Sequence, residues 1–153
     1  MSIQAQTDQL LGELGQRIGL EGLALDEEGH ASLGLDDVFV SLDVQEAAGQ
    51  LLLSAPLGRP AGDSAALYGR MLDANFLGGG TGGATLARAP GEGGIVLWLA
   101  LPREELEISR FERRLQSFVD IAAAWAAAIG EAGDAAVPEE PAGEAPPGLM
   151  IRG

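Results

Sequence analysis

The sequence predicts an α+β fold in the order helix, antiparallel strand meander, helix, two strands, long C-terminal helix, assembled as a homodimer. Three observations carry this. Apolar residues recur at helical spacing at both ends of the chain, most regularly in Phe111, Leu115, Phe118, Ala122, Trp125 and Ile129. Between those ends, short runs alternate apolar and polar residues and are separated by acidic or glycine turns, the pattern of strands joined in sequence. One run, Ile95–Leu101, is apolar on both faces, so it is central in its sheet or faces a partner chain.

The first helix spans Ile3 to Ile18, where Leu10, Leu11, Leu14 and Ile18 repeat at three and four residues and Gly19 supplies the stop. Leu10 and Leu11 lie about 100° apart on the helix, so the stripe is wider than a small core needs. A short strand is expected at Leu23–Asp26, followed by a turn through Gly29. His30–Leu35, Val38–Val44 and Gln50–Ala55 then read as further strands, joined at Asp36-Asp37 and Ala48-Gly49. Tight turns between short strands make an antiparallel meander the economical arrangement. Pro56, Gly58, Pro60 and Gly62 end it, and Asp63 or Ser64 caps a second helix from about Ser64 to Leu77. The glycine run 78–83 connects to a hairpin, Ala84–Ala89 with Gly94–Leu101. Pro102 opens the last helix, Arg103 to about Gly130, with Glu104, Glu105 and Glu107 complementing its N-terminal dipole. From 132 to 153 the chain turns acidic and rich in Pro and Gly, so one folded domain over 1–131 and a disordered tail are expected.

Composition narrows the function. The 153 residues hold no Cys and one His, His30, which removes disulfides, thiolate metal sites and Cys nucleophiles and leaves one candidate for His chemistry. No cofactor and no metal are expected. All nine bases are Arg against 23 acids, for a net charge of −14, which disfavours binding to nucleic acid and to anionic membranes. Met1–Gln9 has neither a basic cluster nor an apolar run, so no signal peptide is expected, and no apolar run is long enough to span a membrane. The glycine run lacks the following Lys of a phosphate loop and follows a helix rather than a strand, so it reads as a helix cap and flexible connection. Asp26–Glu28 and Asp36-Asp37 match no cation loop and read as solvated turns. His30 with Ser32 or Ser41 and Asp43 lacks a nucleophile elbow. Arg110, Arg113 and Arg114 interleave with Glu107 and Glu112 as a paired, solvated face. No catalytic constellation stands out, and binding through apolar surface is the remaining capacity.

The order of elements resembles the class I type III secretion chaperones, the Tir chaperone (CesT) family. The most specific segment is Leu72–Ala87: a leucine and acid, Ala-Asn, an apolar pair, a glycine-rich stretch, then Ala-Thr-Leu. Gly94–Leu97 resembles the family's strand before the last helix, and Phe111 to Trp125 its closing aromatic helix. Leu20–Leu25 with Asp26–Gly29 is similar to the first strand and turn, and the likeness spans about Gln9 to Ile129.

This resemblance implies a bacterial cytoplasmic homodimer, not an enzyme, that binds the N-terminal segment of a secreted effector and keeps it partly unfolded for export. It also admits the secretion-system ATPase as a partner. Mapped onto this chain, effector-binding candidates are Leu10, Leu14, Leu23, Leu25, Leu33, Leu35, Val38 and Val40. Candidates for the dimer interface are Leu67, Met71, Leu72, Phe76, Ile95, Leu97, Trp98 and Leu99. The alternative is a generic dimeric interaction module of the same fold without a secretion role.

Overall fold

Helix α1, Ile3–Ile18, falls where the apolar spacing puts it. The Ser2 hydroxyl accepts the Ala5 N–H at 3.0 Å. The Glu46 carboxylate accepts those of Ile3 and Gln4, at 2.9 and 3.3 Å. Three otherwise orphaned donors of the first turn are thereby satisfied. Gly19, in the left-handed conformation, ends the helix. The computed structural model describes residues 1–136; the remainder of the expected tail, 137–153, lies outside the described residues.

Five strands follow the predicted order, β1 at its expected ends and the other four with shifted ones. β1 is His30–Leu35, β2 Val38–Gln45, β3 Gln50–Gly58, β4 Thr85–Arg88 and β5 Ile95–Pro102. They form one antiparallel sheet in the order β1-β2-β3-β5-β4. Leu23–Asp26 is not a strand. Its stretch is tied to α1 by the Leu25 N–H to Asp8 Oδ1, 3.0 Å, and makes no ladder. Pro56, expected to stop β3, lies inside it. The β2 ladder ends at Ser41–Ser54, so beyond that point β3 pairs only with β5 and a missing N–H is tolerated. The irregularity between Pro56 and Gly58 then closes the strand.

Helix α2, Ala65–Asn75, is shorter than expected, because Phe76 turns extended and Leu77 left-handed. Helix α3 runs from Ile108 to Ala136, starting later than expected and ending five residues past position 131. Pro102 closes β5 instead of opening a helix. The helix starts where the Glu107 carboxylate accepts the N–H groups of Ser109 and Arg110, each at 3.2 Å. Those two bonds, Ser109's first, hold the Glu107 carboxyl below its ordinary pKa.

All three helices contribute to one core with one face of the sheet. Alternation sends Leu33, Val40, Leu42, Leu51, Leu53, Leu97 and Leu101 inward, where they are buried with Leu11, Phe111 and Phe118. Both Leu10 and Leu11 are buried, because α1 packs against α3 and also against β2 and β3. The wide stripe is therefore used within the protomer.

Candidate functional site

The opposite face of the sheet is nearly uncharged. Register places Ser32, Ser41, Ser54, Trp98 and Thr85 in one row across it, and Leu52 with Ala100 in the next. His30 and Asp43 are the ionisable pair on this face, joined from Nδ1 to Oδ1 at 2.8 Å and each roughly half exposed. Among the described residues no serine hydroxyl bonds the ring, so register brings the suspected triad members near without forming their relay.

β5 takes the central position that was one alternative of its expectation. It is internal to the sheet, and its second face, Val96, Trp98 and Ala100, is left partly exposed. Of the proposed dimer residues, Leu67, Met71, Ile95, Leu97 and Leu99 are core. Their alternation or helical phase points them at the shared interior, so they offer no surface. Leu72, Phe76 and Trp98 are exposed, at 70, 72 and 38%. Leu77, absent from that set, is 89% exposed. Three of the large exposed apolar side chains therefore cluster at the end of α2. The glycine run behind them is closely packed rather than a loose connection. A side chain at Gly80 would meet Ala74 Cβ at 2.8 Å, and Gly80 accepts the Trp125 indole N–H at 3.2 Å.

The two sheet edges differ. The Val44 N–H donates to the Gly29 carbonyl. Antiparallel alternation from that bond turns the main-chain groups of His30, Ser32 and Gly34 outward from β1. Asp26 occupies the first of these. Its N–H donates to the His30 carbonyl at 2.8 Å, and its carboxylate accepts the His30 N–H at 2.9 Å. The His30 donation, helped by the Glu28 N–H, lowers the Asp26 pKa. Ser32 and Gly34 have no recorded partner for their outward groups among the described residues. On β4 the corresponding position, Leu86, is closed by the Asn75 side chain through two hydrogen bonds.

A groove of about 550 Å³ lies beside the end of α1, lined by Leu11, Gly12, Gly15, Gly19, Leu20 and Leu23 among others. Gly12, Gly15 and Gly19 fall on one helical face, a spacing visible in the sequence that apolar periodicity passes over. Gly15 lets the chain return closely, since a Cβ there would stand 2.6 Å from the Leu20 carbonyl oxygen.

Of the proposed effector residues, Leu10, Leu14, Leu33, Val38 and Val40 are buried in the core and present no exposed patch. Each sits on the inward phase of its helix or strand. Leu23, Leu25 and Leu35 are half-buried, and exposed Ile18 and Leu20 extend that group. The Arg face is also rearranged. Glu112 pairs with Arg17 at 2.7 Å, while Glu107 caps α3. No helix among the described residues is long and apolar enough to cross a membrane. No group of metal-ligating side chains is found among the described residues.

Comparison with known proteins agrees with this architecture. The Tir chaperone protein (CesT) family model matches residues 9–126. A Chlamydia pneumoniae protein (CPj0713/CpB0740) is 31% identical over 110 residues, covering 71% of this chain and 83% of its own. A chain of the ExsC–ExsE complex superposes with a TM-score of 0.71 at 27% identity, covering 84% of this chain and 97% of that one. The Yersinia pestis type III secretion chaperone SycH, solved with a stable fragment of YscM2, gives 0.62 at 24% identity, covering 76% and 97%. The likeness drawn from Leu72–Ala87 and the order of elements is thus borne out: the chain belongs to the Tir chaperone protein (CesT) family, a family of type III secretion chaperones that bind effectors.

Proposed function

We propose that this chain works in the bacterial cytoplasm as a homodimer that binds the N-terminal segment of a secreted effector in extended, partly unfolded form. The observation that supports it best is the asymmetry of the sheet edges. β1 keeps the main-chain groups of Ser32 and Gly34 open, while Asn75 seals the middle of β4. An extended segment can add to β1 as a sixth strand through main-chain hydrogen bonds, with alternate side chains finding apolar contacts. Those contacts lie close by. The segment from Leu20 to Asp26 lines the α1 groove at one end and touches the β1 edge at the other.

Self-association uses a different surface. The chain carries a net charge of −14, yet 74–87 and 93–102 contain no ionisable side chain. Copies approaching through 74–87 and the β4–β5 outer face bring few acids together, with Asp73 at the margin. A two-fold arrangement makes each contact twice. A loaded dimer is also the form offered to the secretion-system ATPase, which rests on the family resemblance.

The experiment is purification of the full chain with its co-expressed secreted partner, followed by sedimentation. A dimer of the 15.7 kDa chain carrying the partner's N-terminal segment is expected. A monomer, or a partner held only through its folded domain, overturns the proposal.

A further inference from the structure

We propose that the segment Leu149–Arg152 docks in the α1 groove of its own protomer and holds it until a secreted partner displaces it. The displacement rests on the effector reading above, in which the same groove receives the partner's side chains. The docking itself stands apart from that reading.

The groove suits apolar side chains. One side is the glycine face of α1, and the other is the loop from Leu20 to Ala24. Gly19 and Gly22 have positive φ, so the turn there calls for glycine. Gly12 is different. It lies inside the helix, and an added Cβ would meet nothing within 4 Å. Alanine there would favour the helix and touch no other part of the described fold. Leu20 is 40% exposed, and Leu23 is half-buried beside it. A bare helix surface next to two leucines fits an apolar side chain that arrives from elsewhere.

Reach and charge make that side chain one of this chain's own. The groove lies toward the far end of α3 from Ala136, because Arg17, next to Gln16 of the lining, holds Glu112 at 2.7 Å. The helix from Ala136 back to Glu112 measures about 36 Å at 1.5 Å per residue. The linker between Ala136 and Leu149 spans at most about 43–47 Å when extended. The difference covers the roughly 8–10 Å between packed helix axes.

Leu149, Met150 and Ile151 are consecutive apolar residues, and Arg152 after them is the one base in 115–153. The linker before them carries Glu139, Glu140 and Glu144. The body of the protein is acidic as well, so it repels the linker and admits the apolar segment with its base. Glu21 is the ionisable residue of the lining, and nearby Arg17 is already paired. Glu21 thus offers Arg152 a partner, an exposed pair that fixes direction more than it adds affinity. Tethering raises the local concentration of the segment, so a few side chains suffice to fill the groove. A partner with more anchors displaces them.

The chain has no Cys, so an introduced pair reports on itself. The full-length protein with Gln16→Cys and Met150→Cys is oxidised mildly, beside the same pair in a Leu149→Asp, Ile151→Asp background that keeps the tether and loses the apolar anchors. Ala24→Cys replaces Gln16→Cys should that variant fail to fold. Bridging within one chain is expected to run about tenfold faster with the anchors than without them. Equal rates overturn the docking and leave the effector reading untouched. A bridge between two chains, seen at twice the mass on a non-reducing gel, puts the segment on a second copy and also overturns it. The bridged protein, mixed with the purified secreted partner, is expected to capture little of it, and reduction should restore capture. Equal capture in both redox states overturns the displacement. Fast bridging in a chain that captures no partner in either state supports the docking and removes the effector reading.

Discussion

Asn75 holds both main-chain polar groups of Leu86. Its amide donates to the Leu86 carbonyl at 3.0 Å, and its own carbonyl accepts the Leu86 N–H at 2.9 Å. One side chain thus stands in for a neighbouring strand at the middle of β4. An unsealed edge strand invites pairing with other chains, so Asn75 leaves β1 as the edge available to an extended ligand. Asn75→Ala removes two hydrogen bonds and is expected to cost about 1–3 kcal/mol. Urea denaturation reads the loss, and light scattering should show aggregation at concentrations where the wild type stays clear. Unchanged stability and solubility would remove the sealing role.

The α1 groove and the buried face of α1 should respond oppositely to charge. Leu20→Asp places a carboxylate on exposed surface and is expected to shift stability by less than about 0.5 kcal/mol, while weakening effector capture. Leu10→Asp buries an unpaired carboxylate in the core, at a cost of about 4 kcal/mol or more. A folded, stable Leu10→Asp protein that loses only effector binding would restore Leu10 to the binding surface.

At Gly15 the close return of Leu20 leaves no room for a methyl group. Gly15→Ala is expected to cost about 1–3 kcal/mol through overpacking, against the gain of under about 1 kcal/mol that the same change brings at an open helical site. Gly12, with nothing within 4 Å of an added Cβ, is the matched control. Thermal melts of the two variants should move in opposite directions, and a shared rise would show that the Leu20 segment shifts freely.

Asp26 and Glu107 both have lowered carboxyl pKa values, from 3.8 and 4.5, chiefly through main-chain N–H donors. A carboxyl depressed in the folded state adds stability above its unfolded pKa and loses it as pH falls through the folded one. Their contribution is therefore present at neutral pH, begins to fade below about pH 4.5 for Glu107 and 3.8 for Asp26, and is gone once both are protonated. The double variant Asp26→Asn, Glu107→Gln should show a shallower acid limb than the wild type. Parallel limbs would assign acid unfolding to other carboxylates.

Much of the fold was legible because one sequence pattern answers each element. α1 matched from Ile3 to Ile18, and β1 from His30 to Leu35, since each has clean periodicity between a cap or turn and a glycine or acid. The start of α3 was misread because Pro102 and Glu104 carry the usual signals of a helix start, while the side chain that caps the helix is Glu107. β3 ran past Pro56 because the cost of a missing N–H depends on which neighbour is present. The site was harder to read. Periodicity shows that Leu33 and Val40 share a face, and that Trp98 lies on the other, but not which face the helices cover. Leu77 followed no period at all, and its signal was a bulky apolar residue at the head of a glycine run.

Amide hydrogen exchange on the full-length dimer, with and without the N-terminal segment of the secreted protein that co-purifies with it, tests the chaperone mechanism most directly. Strand addition at β1 is expected to protect the Ser32 and Gly34 amides strongly, while Leu86, already bonded to Asn75, changes little. A saturated complex in which Ser32 and Gly34 exchange as fast as in the free protein would contradict it.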